Sequence, residues 1–234
     1  MPVQTRAAAE DMIGVVTGLR AEARCLGGLD VAVACSGARP ARARAEAARL
    51  IAEGAEGLVS FGLAGGLSPA VAPGDLVLAD AVVLPGGERI ATDLAWRSRL
   101  SARIEVAGSA PHRAAVAGSD RLLTTIAAKR TLLETTGALA VDMESHAVAE
   151  AAHRAGLPFV VLRAVADPSD QALPRAATIA LGPGGEVRLL AVALALFERP
   201  GEMPALLRLG RQSRRALAAL RGVVLLARPE LALG

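Results

Sequence analysis

PFVVLRAVADPSD, residues 158–170, is apolar at consecutive positions from Phe159 to Ala166, interrupted by Arg163. LVSFGLA, at residues 58–64, has a similar character. Such strands are typical of a sheet that helices cover on both faces, because a strand with one solvent face alternates apolar and polar residues. Short β-branched runs also alternate with stretches of helical period along the chain. The sequence therefore predicts an α/β fold of three layers, with a central mixed β-sheet flanked by helices.

The order of these elements predicts one catalytic unit, since 234 residues can bury one continuous core. We expect strands near 12–18, 29–36, 57–63, 75–84, 113–118, 138–142 and 158–166. We expect helices at 40–53, 92–101, 122–135, 144–155, 186–198 and 204–222. The predicted divisions are an N-terminal extension at 1–11, a catalytic domain at 12–200 and a basic amphipathic C-terminal helix at 201–234.

Composition argues against several classes of protein. The formal net charge is only +3, Tyr is absent, and Phe and Trp are scarce, so no nucleic-acid partner is expected. No run reaches the roughly 18 uncharged apolar residues of a spanning helix, and the first residues lack the pattern of a secretory signal. We therefore expect a cytoplasmic protein in which Cys25 and Cys35 are buried, reduced thiols. His112 lies in a predicted loop and the histidines do not cluster, so we expect no metal.

Three carboxylates follow predicted strands and carry the candidate chemistry: Glu22 in TGLRAE, Glu144 in VDMES and Asp167 in RAVADPSD. Ligands of α/β sheets bind beyond the carboxyl ends of the strands. Glu144 could accept two hydrogen bonds from a vicinal diol, above an apolar floor supplied by Met143. Asp167, half sheltered from water, could have a raised pKa and donate a proton at neutral pH.

Each segment also has an ordinary structural interpretation. Glu22 could be a helix-start carboxylate, which its own segment favours, and Asp142 or Glu144 could equally cap a helix. Asp167 could belong to a loop-forming Asp-Pro pair. FGLAGGL, at 61–67, could let the backbone approach a ligand or form a tight turn, and it matches no dinucleotide or P-loop motif. The occurrence of all three carboxylates at predicted strand ends favours the catalytic interpretation more than any one of them does.

Taken in order, IGVVTGLRAE, SFGLAGGL, GSDRLL, AVDMESHAVAEAA and VLRAVADPSD resemble the nucleoside phosphorylase superfamily over about residues 12–198. They are similar to its methylthioadenosine/adenosylhomocysteine nucleosidase branch. AVDMES followed by RAVAD is specific, whereas the Gly-rich piece alone is weak. GLRAE, GSDRLLTT and the Arg-rich tail look most like the hopanoid-associated phosphorylase subfamily, which is thought to remove adenine from adenosylhopane. The resemblance implies cleavage of an N-glycosidic bond without a cofactor, with phosphate as a possible co-substrate, and we expect a homodimer.

The resemblance also implies roles for individual residues. Glu22 matches the carboxylate that orients and deprotonates the attacking water, and Glu144 the residue that holds the ribose hydroxyls, with Met143 as its apolar neighbour. Asp167 matches the acid that hydrogen-bonds purine N7 and protonates the leaving base. The remaining implied substrate contacts are Leu63 and Gly65 in the Gly-rich segment and Leu122 and Leu123 beside the adenine edge.

The nucleophile stays open between water and phosphate. Phosphorolytic members hold phosphate with an Arg and a Ser around the Gly-rich strand, where this chain has Ser60 and Leu63. That departure weakens phosphorolysis. Arg20, however, matches an Arg that contacts phosphate in the phosphorolytic branch, and it could serve that role here.

The Arg- and Leu-rich tail at 204–228 has two equally good interpretations. It could lie on the inner face of a membrane and bring the site to a lipid-linked nucleoside, or it could pack on the body or on a second subunit. Three functions follow for the whole chain: an enzyme that releases adenine from adenosylhopane, a soluble nucleosidase for methylthioadenosine or a related nucleoside, and a non-catalytic nucleoside-binding protein. Retention of all three carboxylates argues against the last.

Overall fold

The computed structural model describes residues 12–106, 108, 110–179, 182, 184–186 and 189–226. The strands are β1 (Ile13–Thr17), β2 (Ala32–Cys35), β3 (Gly57–Gly66), β4 (Leu76–Val83), β5 (Arg89–Ala91), β6 (His112–Gly118), β7 (Ala140–Asp142) and β8 (Phe159–Asp167). The helices are α1 (Arg20–Ala23), α2 (Pro40–Ala52), α3 (Leu94–Val106), α4 (Ile126–Thr136), α5 (Ser145–Ala155), α6 (Arg175–Ile179), α7 (Leu189–Glu198) and α8 (Met203–Leu226). The N-terminal extension predicted at 1–11 lies outside the described residues.

The eight strands form one mixed sheet in the order β2-β1-β3-β7-β6-β4-β5, and β8 pairs with both β3 and β4. The strand β3 runs parallel to β1 and β8, and antiparallel to β7 at its end. The strand β4 runs antiparallel to β8 and parallel to β6, which is parallel to β7. The pairs β3–β8–β4–β6–β7 therefore close part of the sheet into a ring, and the predicted mixed sheet is confirmed.

Helices cover both faces of this sheet, which explains the consecutive apolar residues of β8. Every residue of β8 is buried. Val161 and Val165 belong to an apolar cluster that includes residues of α2 and α5. Val160 and Leu162 belong to a second cluster, with residues of α3 and α8. Because successive side chains of a strand point to opposite faces, both faces of β8 must be apolar.

The structure differs from the sequence predictions at several short elements. The elements α1, α6 and β5 were not predicted, and His112 begins β6 instead of lying in a loop. The helix α4 begins at Ile126 because Thr125 is its cap and accepts a 3.2 Å hydrogen bond from Ala128 N; residues 122–125 are therefore left as a loop. Cys25 is buried as expected, but Cys35 is only half-buried, and both thiols are free.

The helix α8 is part of the core, so residue 200 does not end the folding unit. Ala216, Leu220, Val223 and Val224 are buried in the same cluster as Leu162 of β8. The second half of this helix therefore packs against the body of the protein. In its first half, Arg208, Arg211 and Arg214 are exposed.

We predict that Leu220→Ala destabilises the protein by about 2–5 kcal/mol, because it removes buried methyl groups from a packed core. Leu225 lies on the same helix with 65% of its surface exposed, whereas Leu220 is 0% exposed. Leu225→Ala is thus the matched control and should change stability by less than about 0.5 kcal/mol. Urea unfolding of both variants measures the difference. Equally small effects would show that α8 is not docked in solution.

Candidate active site

A cleft lies where β1, β3, β7 and β8 end, and it has two connected compartments. The larger compartment, of about 140 Å³, is lined by Gly18, Leu19, Glu22, Ala38, Leu63, Ala64, Ala166, Glu144 and shared residues. The smaller compartment, of about 40 Å³, is lined by Arg121, Leu123, Lys129, Leu173 and the same shared residues. The shared residues are Gly65, Leu122, Val141, Asp142, Met143 and Asp167. The cleft thus brings together the predicted catalytic and substrate-binding residues Glu22, Leu63, Gly65, Leu122, Leu123, Met143, Glu144 and Asp167.

Glu22 is both a helix-start carboxylate and a wall of the larger compartment. Its Oε2 accepts hydrogen bonds from Gly18 N at 2.8 Å and Leu19 N at 2.7 Å, and its Oε1 accepts one from Leu63 N at 2.8 Å. Burial raises the pKa of Glu22, while Arg163 and these backbone N–H groups oppose the rise. A carboxylate offers about four acceptor sites, so Oε1 retains one for a further donor.

Glu144 stands at the start of α5 without capping it by its side chain. That role belongs to Asp142, whose carboxylate accepts hydrogen bonds from Ser145 N at 3.2 Å. Glu144 Oε1 instead accepts a 3.3 Å hydrogen bond from Ser36 Oγ. A side chain at Gly18 would bring its Cβ within 2.9 Å of Glu144 Oε1, so glycine leaves room for the carboxyl group.

Burial raises the pKa of Glu144 to about 8, against the influence of the Arg163 guanidinium. The neighbouring carboxylates of Asp142 and Glu22 raise it further. Glu144 is thus a carboxyl group whose protonation changes near neutral pH, as expected where buried acids crowd one cation.

Arg163, to which no role was predicted, supplies that cation. It is fully buried in β8, and its Nη2 pairs with Asp142 Oδ2 and donates to Ser60 Oγ at 2.5 Å. Its Nη1 lies 3.8 Å from Glu144 Oε2 and has no hydrogen-bond partner among the described residues. A Cβ at Gly62 would lie 2.6 Å from Glu22 Cδ and 2.7 Å from this Nη1, so the two charged groups approach each other over a glycine. The signal in the sequence is a charge inside an otherwise apolar strand.

Asp167 ends β8 between the two compartments and is paired with Lys129, a second residue without a predicted role. Lys129 Nζ contacts Asp167 Oδ2, and 1% of the lysine side chain is exposed against 10% of the aspartate side chain. Burial raises the pKa of Asp167, while the Lys129 ammonium opposes that rise. The signal in the sequence is that Lys129 is the single lysine of the chain.

Arg20 is not among the residues that line the cleft. It is exposed, and its Nε donates a 3.1 Å hydrogen bond to Gly184 O. Ser60 is engaged with Arg163 and with Ser145, whose hydroxyl oxygen is 3.3 Å away. A phosphate contact by Arg20 stays a prediction, and its position gives that contact no support.

Among the described residues, no group of three or more His, Cys, Asp or Glu side chains is arranged to bind a metal ion. His146 is buried, with Nε2 3.3 Å from Asp120 Oδ1. No helix in the described part of the chain combines the length and hydropathy of a membrane-spanning segment.

The cleft can therefore serve two chemical tasks a short distance apart. At the boundary of the smaller compartment, Asp167 can exchange a proton with a ligand. In the larger compartment, the carboxyl groups of Glu22 and Glu144 can bind hydroxyl groups or water.

Comparison with known proteins identifies a family and similar structures. The phosphorylase superfamily profile matches residues 15–197. No curated protein sequence matches the chain. Among solved structures, the 5′-methylthioadenosine/S-adenosylhomocysteine nucleosidase of Helicobacter pylori, complexed with a pyrrolopyrimidine-bearing pyrrolidinol, matches at TM-score 0.69 and 18% identity, covering 92% of this chain and 98% of that chain. The futalosine hydrolase of Helicobacter pylori matches at TM-score 0.69 and 17% identity, covering 93% and 99%.

A third similar structure is the 5′-methylthioadenosine/S-adenosylhomocysteine nucleosidase of Neisseria meningitidis in complex with methylthio-immucillin-A, at TM-score 0.69 and 18% identity, covering 92% of this chain and 96% of that chain. At these identities the likeness establishes the fold and not the substrate. The matched 92% of this chain contains more residues than the stretch 12–200. The structural similarity therefore extends into the C-terminal segment.

We predict that Glu144 makes stability fall as pH rises. Its pKa is 4.5 ordinarily and about 8 in the fold, so between these values the folded protein holds a proton that the unfolded chain has lost. Stability then decreases by up to roughly 1.4 kcal/mol per pH unit for this proton, and the raised pKa values of Glu22 and Asp167 act in the same direction. Glu144→Gln removes the pH-dependent contribution of Glu144 to stability. The stability of the variant relative to wild type should therefore increase from pH 5 to pH 8.

Urea unfolding at several pH values measures that difference. Glu134→Gln is the control, because 65% of the Glu134 side chain is exposed, and its difference from wild type should stay constant. A constant difference for Glu144→Gln as well would show that Glu144 is already ionised at pH 5.

Proposed function

The chain belongs to the phosphorylase superfamily, and from this premise we propose that it hydrolyses the N-glycosidic bond of an adenine nucleoside. The observation that carries the proposal is the division of acidic groups within one cleft. Asp167 lies between the compartments, while Glu22 and Glu144 line the larger one and the buried Arg163 lies close behind them. Rupture of an N-glycosidic bond builds negative charge on the base and positive charge on the sugar, and both are stabilised by groups so placed.

On the base side, Asp167 is the general acid. Its carboxyl group donates a proton to purine N7 as the bond from the base to the sugar breaks, and the electron pair of that bond stays with the base. The raised pKa of Asp167 favours the protonated form that this step needs. Leu122, Leu123 and Gly65 form the walls against which the flat base lies.

On the sugar side, Glu144 accepts hydrogen bonds from the ribose hydroxyls, and Met143 supports the ring. Water attacks the anomeric carbon, and Glu22 takes the proton that this water loses. The remaining acceptor site of Glu22 Oε1 orients one hydrogen of this water. The products are adenine and the free sugar.

The charge balance of the larger compartment favours water over phosphate. Two buried carboxyl groups line it, and the nearest cation, Arg163, is already paired with Asp142. A buried phosphate dianion needs cations around it, and no Arg or Lys side chain is among the described residues that line this compartment. Arg20, the implied phosphate ligand, is turned to Gly184 instead.

For the physiological substrate we propose adenosylhopane, and with it a peripheral contact at the inner face of the membrane. Support comes from the likeness of GLRAE, GSDRLLTT and the Arg-rich tail to the hopanoid-associated subfamily. Leu194, Phe197 and Leu207 are exposed, as are Arg208 and Arg211, and exposed apolar and basic side chains are the residue types that bind anionic lipid. A homodimer remains part of this proposal.

The second candidate is a nucleosidase for soluble adenine nucleosides such as 5′-methylthioadenosine. It is favoured by the similar structures, which include 5′-methylthioadenosine/S-adenosylhomocysteine nucleosidases and a futalosine hydrolase. Both candidates use the same cleft and the same residues. They differ only in the group attached at the sugar 5′ position.

We predict that the purified protein releases adenine from 5′-methylthioadenosine or adenosine in solution, and from adenosylhopane in anionic vesicles, with the vesicle substrate preferred. Asp167→Asn should lower turnover by about 10²–10⁴-fold, the scale of general acid catalysis, while nucleoside binding is retained. Asp170 is exposed in the same loop, so Asp170→Asn is the control and should match wild type.

Chromatography of released adenine measures these rates, and calorimetry measures binding. A preference for soluble nucleosides would select the second candidate. Binding without release of adenine from any of these nucleosides would contradict both candidates and leave a nucleoside-binding protein.

A further inference from the structure

Lys129 is a buried ammonium group at the edge of the cleft, and the reaction steps described so far leave it unused. It lies on α4, is 1% exposed and lines the smaller compartment. Buried charges require a partner of opposite sign and full hydrogen bonding. The contacts that meet this requirement indicate what the residue does.

All three N–H groups of the ammonium are used by the protein. Nζ contacts Asp167 Oδ2 and donates to Pro168 O at 2.7 Å and to Gln171 O at 3.0 Å. An ammonium group has three donors and no acceptor. Lys129 therefore has no N–H left for a base in the smaller compartment, and any influence on the reaction passes through Asp167.

These contacts connect the acid to the neighbouring elements of the fold. Lys129 joins α4 to the end of β8 and to the loop that follows it, and Gln171 of that loop accepts a 3.0 Å hydrogen bond from Gln212 on α8. Among the described residues, Asp167 Oδ1 accepts no hydrogen bond, whereas Oδ2 is committed to Lys129. One oxygen is thus held while the other is left for a ligand.

The ammonium also matters for charge. When Asp167 gives its Oδ1 proton to the leaving base, the O–H bond breaks, an N–H bond forms on the base, and a carboxylate remains in a buried site. Lys129 then faces that carboxylate at contact distance and stabilises it. The other charged or titratable side chains that line the cleft are Arg121 from the loop before α4, Asp142 and Glu144 at the end of β7, and Glu22 from α1.

We infer that Lys129 is a positioning residue that makes Asp167 an effective acid, by fixing Oδ2, leaving Oδ1 for the purine and stabilising the carboxylate that proton transfer creates. This inference rests on the proposed function. It restricts the role of Lys129 to leaving groups that need a proton.

The test compares two leaving groups in Lys129→Met, a neutral variant of similar length. Adenine needs a proton to leave, whereas 4-nitrophenolate from 4-nitrophenyl β-D-ribofuranoside leaves without one. The variant should lose about 10²-fold in kcat/KM on 5′-methylthioadenosine, part of the roughly 10²–10⁴-fold supplied by general acid catalysis, and keep wild-type activity on the nitrophenyl riboside. Arg130→Met, at a neighbouring site with 73% of the side chain exposed, should keep both activities.

Two further readouts separate positioning from a structural role. Lys129→Met with Asp167→Asn should be no slower on 5′-methylthioadenosine than Asp167→Asn alone, because the lysine acts only through the acid. In Lys129→Met the fall of kcat/KM at alkaline pH should move to higher pH, because the cation that lowers the pKa of Asp167 is gone. Should Lys129→Met not fold, Lys129→Gln and the double variant, which leaves no buried charge unpaired, are measured in its place.

Equal losses on both substrates, additive losses in the double variant, or an unchanged alkaline fall would overturn the inference. Its failure is distinct from failure of the proposed function. If wild type releases adenine and Lys129→Met does so equally well, only the inference is wrong. If wild type cleaves no nucleoside, the proposed function itself is wrong.

Discussion

The guanidinium of Arg163, fully buried in β8, is the charge on which the arrangement of the site depends. A buried cation is tolerated only when acids and hydrogen-bond acceptors surround it. Asp142 at the end of β7 and Ser60 within β3 both contact Nη2, which connects these two strands to β8. Because those partners occupy one side of the guanidinium, Nη1 is left facing Glu22 and Glu144. Arg163 thus both connects the strands and lies beside the carboxyl groups of the candidate site.

The acids around this cation differ in their contacts with it. Asp142 takes the contact with Nη2. Burial raises the pKa of Glu144 to about 8 against the influence of Arg163, and the carboxyl groups of Asp142 and Glu22 add to the rise. Asp167 is separated from this group and has its own cation in Lys129. In the function we propose, one acid–cation system serves the sugar and nucleophile and the other serves the base, which is the division that cleavage of an N-glycosidic bond requires.

Most of the layered fold could be predicted from the sequence, because consecutive apolar residues report burial on both faces of a strand. The dual pairing of β8 with β3 and β4 could not, since strand partners far apart in sequence are chosen by tertiary packing. The elements α1, β5 and α6 have five residues or fewer and leave little periodic signal. The end of β8 with Asp167 was expected from the apolar run that precedes it.

The same distinction holds for the site. Carboxylates at strand ends can be recognised locally, so Glu22, Glu144 and Asp167 were candidates before any geometry was known. Lys129 lies 38 residues from Asp167, and Arg163 lies 103 residues from Ser60. No local pattern encodes those contacts, and the clue in each case was a charge in an unusual place. The structure also shows that Asp142 performs the capping role, which the sequence left open between Asp142 and Glu144.

The central claim is that Glu22 directs water to the anomeric carbon while Glu144 holds the ribose. A single turnover of 5′-methylthioadenosine in H₂¹⁸O, with inorganic phosphate present, followed by mass spectrometry of the sugar, tests it directly. We expect one ¹⁸O atom on the sugar at the carbon that held adenine, with the same yield when phosphate is omitted. A sugar 1-phosphate without the label, formed only when phosphate is present, would contradict the account.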